Sequence, residues 1–212
     1  MKKTSTLLGT SLALVLFLGS CASSYRPIRP QTVHYDYNEI SATGALSTSF
    51  AFDVMTLRNN KKYAKKETKN NMKVVSMKVV NNTDAPIHVG RDCRLFMGGR
   101  EIIPMEPTVA ANKIKQGVPI YLLYALLFLN ITQENTSGSY VTESSSTSLP
   151  IGLPIAAGNM LVAGNANKKM KEEIIGNNIL NKTINPGETA YGVICLNEST
   201  TGRLKFELNQ AQ

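Results

Sequence analysis

Histidine occurs twice in the 212 residues and cysteine three times. His34 and His88 lie far apart, and neither has a carboxylate or cysteine at the spacing a metal site requires, so no metal site is expected. The His-Glu-x-x-His and Gly-x-Ser-x-Gly patterns and a phosphate-cradling glycine loop are also missing. Asp92 and Glu101 flank Cys93 in sequence. A nucleophilic cysteine needs a histidine base or a helix amino end to lower its pKa, and neither is evident. His88, inside the apolar "PIHVG", reads as a structural histidine. These absences point away from an enzyme and away from any resident cofactor.

Acidic residues are scarce in one place. Between Arg58 and Lys78 eight basic residues face a single acid, Glu67. The rest of the chain is close to neutral, so its basic character describes one patch and nucleic-acid binding is not expected. Lys61, Lys62, Lys65, Lys66 and Lys69 are candidates for contact with an anionic surface. The alternative is a solvated helix kept soluble by its lysines, and Tyr63 is the one aromatic among the charges.

The N-terminus has a three-part build. Lys2 and Lys3 precede an apolar run from Leu7 to Leu18, and small residues follow before Cys21. This is the pattern of a secretory signal. The run is shorter than the about 20 residues needed to span a bilayer, so removal is expected. Leu18-Gly19-Ser20-Cys21 resembles the lipobox of bacterial lipoproteins. The resemblance implies diacylglyceryl transfer to the Cys21 sulfur, cleavage after Ser20 and acylation of the new amino group, with these covalent lipids as the only added groups. It covers about 25 residues, and several acyl chains make membrane release negligible. No Asp follows the cysteine to resemble an inner-membrane retention signal, and no acidic cluster resembles a surface-export tag. An outer-membrane anchor with a periplasm-facing body is therefore expected, with exposure on the cell surface left open.

Residues 1–20 are thus read as signal peptide and 21–32 as a lipidated N-terminus and tether, stiffened by "RPIRP". Residues 33–212 are read as one folded domain. Alternation in "LSTSFAFDVMTL", the turn in "VVNNTDAPIHVG", the Gly98-Gly99 turn in "CRLFMGGREIIP" and the Pro-Gly turn before "TAYGVICL" mark six or more short strands. The expectation is a mainly β fold, an antiparallel immunoglobulin-like sandwich, and "INPGETAYGVICL" resembles immunoglobulin-like accessory domains of envelope proteins. Cys93 and Cys195 form an even pair in strand-like segments. They are either a disulfide, which over so long a loop contributes about 4 kcal/mol, or two buried free thiols.

Residues 113–176 break the strand pattern. "VPIYLLYALLFLNI" and "LPIGLPIAAGNMLVAGNA" are apolar and uncharged, joined by a Ser/Thr-rich stretch that reads as a flexible linker. We read them as an inserted helical hairpin whose apolar surface covers the strands. Val74-Val75, Val79-Val80 and "GVICL" are apolar on both faces and require cover on both. The functional expectation is a lipid-anchored, non-enzymatic envelope protein, a binding or scaffolding module for another envelope component, with oligomerisation open. The alternative is a membrane-active protein whose apolar hairpin inserts or oligomerises in the membrane for transport or assembly.

Overall fold

The structure, a computed structural model, describes residues 22–137, 140–198 and 200–209. The expected leader and Cys21 itself lie outside the described residues. The described residues form two compact units, a smaller one within 22–24 and 116–166 and a larger one within 25–115 and 167–209. The larger unit contains, in chain order, β1 (Tyr37–Ile40), β2 (Leu46–Ala51), the single turn α1 (Val54–Leu57), α2 (Lys61–Lys69), β3 (Lys73–Asn81), β4 (Ile87–His88), α3 (Val89–Asp92), β5 (Cys93–Met97), β6 (Arg100–Ile102) and α4 (Pro107–Ile114). The smaller unit holds a 3-10 helix (Pro119–Leu126), β7 (Leu129–Ser137), β8 (Tyr140–Leu149) and the first part of α5 (Gly152–Gly176). From Asn167 onward α5 belongs to the larger unit, followed by β9 (Thr183–Ile184), β10 (Thr189–Leu196) and β11 (Leu204–Leu208).

Two antiparallel sheets face each other in the larger unit, one ordered β1-β2-β3-β10 and the other β11-β5-β6. Strand alternation divides their side chains between two layers. Val75, Met77 and Val79 on β3 meet Phe50, Ile194 and Phe206 in the core between the sheets. Thr48, fully buried, spans the same layer and accepts a hydrogen bond from the Phe206 amide at 3.1 Å. Gly98 and Gly99, at φ 58° and 86°, close the β5-β6 hairpin in the left-handed region that glycine enters without steric penalty.

The opposite face of the four-stranded sheet is buried as well. Val74 and Cys195 stand opposite each other in register there, alternating with the residues that enter the inter-sheet core. The expectation that both faces need cover is met, but the cover differs from the one expected. Within the larger unit α1, α2, α4 and the 3-10 turn Pro30–Thr32 contact β3 or β10, and they bury Ile28, Met55, Tyr63 and Ile114. The basic stretch forms a helix because Tyr63 and Glu67, four residues apart, share one buried face. The fold is therefore a mixed α and β architecture rather than a mainly β one.

Two further expectations are corrected. Residues 113–176 do not form a helical hairpin. The first apolar run becomes a 3-10 helix opened by Pro119, and the Ser/Thr-rich stretch forms the antiparallel β7-β8 pair, in register from Leu129 opposite Leu149 with one irregularity at Asn135/Thr136. Only the second run is a long helix, because Pro154 falls in its first turn, where a missing amide hydrogen costs no intrahelical bond. The strand expected to continue through Val54 stops at Ala51. Asp53 adopts φ 54°, reversing the chain so that Val54 and Met55 enter the core from α1.

Candidate functional site

The segment that follows the expected anchor is not a free tether. Ala22 to Ile28 runs without regular secondary structure, Arg29 turns into the left-handed region at φ 49° to open the 3-10 turn Pro30–Thr32, and the whole stretch is held almost residue by residue. In the smaller unit the Ala22 amide donates to Asn159 Oδ1 at 2.7 Å. The Gln116 carboxamide takes the Ser23 backbone from both sides, accepting from its amide at 3.3 Å and donating to its carbonyl at 2.7 Å. Asn60 repeats this in the larger unit, accepting from the Arg26 amide at 2.9 Å and donating to the Arg26 carbonyl at 2.7 Å. A side-chain amide has the donor and acceptor geometry of a peptide unit, so each pair mimics a strand ladder where no strand is present.

Glu173 on α5 is the strongest of these holds. Its carboxylate accepts from the Tyr25 hydroxyl at 2.6 Å, the Ile28 amide at 2.9 Å and the Arg29 amide at 2.9 Å. Burial first, and the adjoining Glu173 carboxylate second, hold the Tyr25 phenol well above its ordinary pKa. Tyr25 also packs edge-on against Tyr63, with centroids 5.4 Å apart. Arg58 completes the clamp by donating to the Ile28 carbonyl at 2.8 Å and to the Thr32 hydroxyl. Proline at 27 and 30 removes two amide donors and fixes φ at both positions, which lowers the entropy lost on docking.

Nothing in the sequence singles out Glu173, Asn60, Gln116 or Asn159. Each sits in an ordinary polar context and acquires its role only from the chain that passes it. The lysines foreseen as an anionic-surface contact are placed on one helix. Lys61, Lys65 and Lys69 recur every four residues and form an exposed row on α2, while Lys62 and Lys66 are half-buried. Glu67, on the inner face of α2, is 4% exposed and accepts from the Val74 amide at 2.6 Å. Burial outweighs that bond and the nearby Lys73, and pushes its carboxyl up to about 7.

Cys93 and Cys195 are free. Cys93 packs against the inter-sheet core, whereas Cys195 lies on the helix-covered face of β10, so the two thiols occupy different layers and the disulfide is not formed. Burial pushes both up to about 12, which keeps them protonated and poor nucleophiles at neutral pH. Asp92, flanking Cys93, accepts instead from the His88 amide at 2.8 Å and pairs with Arg91. Glu101 pairs with Arg94 at 3.3 Å. Among the described residues no group of three His, Cys, Asp or Glu is placed to hold a metal.

Two exposed apolar or aromatic surfaces among the described residues bear on binding. At the edge of the larger unit, Tyr37 stacks on Phe50 with centroids 5.2 Å apart, and with Phe52 and Arg203 it lines a shallow cleft. In the smaller unit, large aliphatic side chains face outward, including Leu123 at 62%, Leu126 at 74% and Leu161 at 68% exposure. Among the described residues no helix is long and apolar enough to cross a membrane. No protein-family model matches this chain, and neither a curated protein nor a solved structure shows significant similarity to it.

Proposed function

We propose that the chain is a lipid-anchored, non-enzymatic cell-envelope protein, acylated on Cys21, that serves as a binding or scaffolding module on the periplasm-facing side of the outer membrane. The observation that carries this reading is the seat built for residues 22–32. Within the smaller unit Asn159 and Gln116 hold residues 22 and 23, and within the larger unit Asn60, Glu173 and Arg58 hold Arg26, Ile28 and Arg29, so each unit is built around its own part of the segment that follows Cys21. A polypeptide that only needed a leash would gain nothing from these contacts. Thiols held protonated by burial favour binding over cysteine chemistry. The cleft of Tyr37, Phe52 and Arg203 offers residue types that dominate binding energy at protein interfaces.

We read the four-on-three arrangement of antiparallel strands as an immunoglobulin-like sandwich, a scaffold that presents such edge surfaces. A second reading, a membrane-active protein whose 113–176 segment inserts or oligomerises, draws on the outward-facing aliphatic side chains of the smaller unit. Metabolic labelling with a fatty acid tests the anchor. The wild-type chain is expected to take up label and partition into detergent, and Cys21→Ser to lose both and keep its leader. Equal partitioning of an unlabelled, full-length Cys21→Ser chain refutes the anchor. In-cell cross-linking from Tyr37 replaced by a photoreactive residue tests the binding surface, and an absence of adducts removes that cleft from the reading.

A further inference from the structure

Helix α5 is inside-out over its first four turns. Its buried positions are Gly152, Ala156, Ala163 and Ala166, Met160 is half-buried, and the large side chains Leu153, Leu161 and Val162 are exposed. A water-soluble helix does the opposite, burying the large aliphatic residues and exposing polar ones. Small residues at the contact let backbones approach closely. A Cβ added to Gly152 would lie 1.8 Å from the Tyr124 carbonyl oxygen. The 3-10 helix against which this unit packs shows the same inversion, with Tyr121 and Tyr124 inside and Ile120, Leu122 and Leu123 outside. Small residues in the contact and large aliphatics on the outside are the arrangement selected where the solvent is hydrocarbon.

Two independent observations identify what covers this surface. Between Gly117 and Ala166 the sequence has only two charged residues, Glu134 and Glu143, both in the β7-β8 hairpin. The helical surface therefore lacks the polar rim and arginine anchors of a protein interface. Ala22, bonded to Asn159 on α5 at 2.7 Å, also belongs to this unit. One peptide step of about 3.8 Å separates the Cα of Ala22 from that of Cys21, so an acyl group on Cys21 would join the chain one residue from a position seated in this unit.

We infer that the smaller unit is a monotopic membrane-docking module, in which the outward aliphatic side chains of the 3-10 helix Pro119–Leu126 and of the first turns of α5 enter the headgroup and acyl boundary of the bilayer next to the anchor. The inference rests on the reading of Cys21 as the acylated residue. The unit lies in the interface rather than across it, as an apolar face without a spanning helix does. Docking fixes the smaller unit against the lipid in one orientation, and a lipid chain alone would not do so.

The test uses the mature chain in vesicles of phosphatidylethanolamine and phosphatidylglycerol, with an environment-sensitive fluorophore on Leu123→Cys, Leu161→Cys or, as a control in the larger unit, Ile103→Cys. Burial holds the thiols of Cys93 and Cys195 protonated and slow to label at pH 7, and peptide mapping of each sample counts only the label carried by the introduced cysteine. Lipid-borne nitroxides are expected to quench positions 123 and 161 at least fivefold more than position 103, and aqueous iodide to show the reverse order. Iodide access at 123 and 161 equal to that at 103 overturns the inference. Shielding at 123 and 161 without lipid quenching, rising with protein concentration, also overturns it and assigns the surface to a second copy. Mass spectrometry of each sample reports acylation separately. An unacylated chain refutes the anchor alone, and its quenching pattern on added vesicles still decides the docking. The pair Leu123→Asp and Leu161→Asp, shown to be folded by an unchanged tyrosine circular dichroism spectrum, is expected to lose the lipid quenching of a label at Leu126→Cys.

Discussion

Replacing Glu67 with glutamine removes a buried charge while keeping an acceptor for the Val74 amide, 2.6 Å away. The carboxyl is pushed up to about 7 from an ordinary value near 4.5, chiefly by burial and against the pull of the Val74 N–H and Lys73, while Asp53 adds to the rise. Between those two values the folded chain keeps a proton that the unfolded chain has released. Stability therefore falls as pH rises from about 4.5 to 7 and levels off above it. The full difference corresponds to about 3 kcal/mol, an upper figure because the site can relax around the charge. Glu67→Gln should match the wild type near pH 4.5 and exceed it by up to about 3 kcal/mol at pH 8. Urea unfolding from pH 4.5 to 8 measures this directly, and subtracting the variant from the wild type cancels every other titrating group. A difference that stays flat across the window, or a variant less stable than the wild type at pH 8, refutes the reasoning.

Glu173→Ala removes the shared acceptor of Tyr25, Ile28 and Arg29, and should cost about 3 kcal/mol in urea unfolding while the Ile28 and Arg29 amides lose hydrogen-exchange protection. Unchanged protection would show that the segment is held without the carboxylate. Gly152→Ala places a methyl group against the Tyr124 carbonyl oxygen, and should destabilise the smaller unit by about 1–3 kcal/mol, read from amide exchange of residues 120–126. Exchange rates equal to wild type would mean that the contact relaxes freely. Cys195 should resist a thiol reagent at pH 8 in the folded protein and react promptly in urea, since burial holds it protonated. Rapid reaction in the folded state would place it at an accessible surface.

Strand patterning in the larger unit was legible because alternation is local. "KVVSMKVV" and "GVICL" announce burial on two faces, and the observed β3-β10 register delivers it. The turns at Gly98-Gly99 and Pro186-Gly187 were legible for a similar reason, since their backbone angles are written in residue type. The 129–149 segment was not. Serine and threonine suit a solvated linker as well as a ladder, and only pairing of the two arms decides between them. The lysine stretch carried its charge in plain view, while the buried pair Tyr63 and Glu67 that makes it a covering helix depends on β3 lying beneath it.

The charge patch, the three-part N-terminus with its cysteine, and the apolar character of residues 118–131 and 149–166 are readable without a fold, because composition and short-range order are properties of the chain alone. Which residues grip the segment after Cys21, and which side of α5 faces outward, depends on long-range packing. Asn159 and Ala22 are 137 positions apart, and Glu173 and Ile28 are 145 apart. No local preference encodes such meetings. Hydrogen bonds across that separation form only when packing brings the partners together, and a helix apolar on all sides acquires an inner face only from what it packs against.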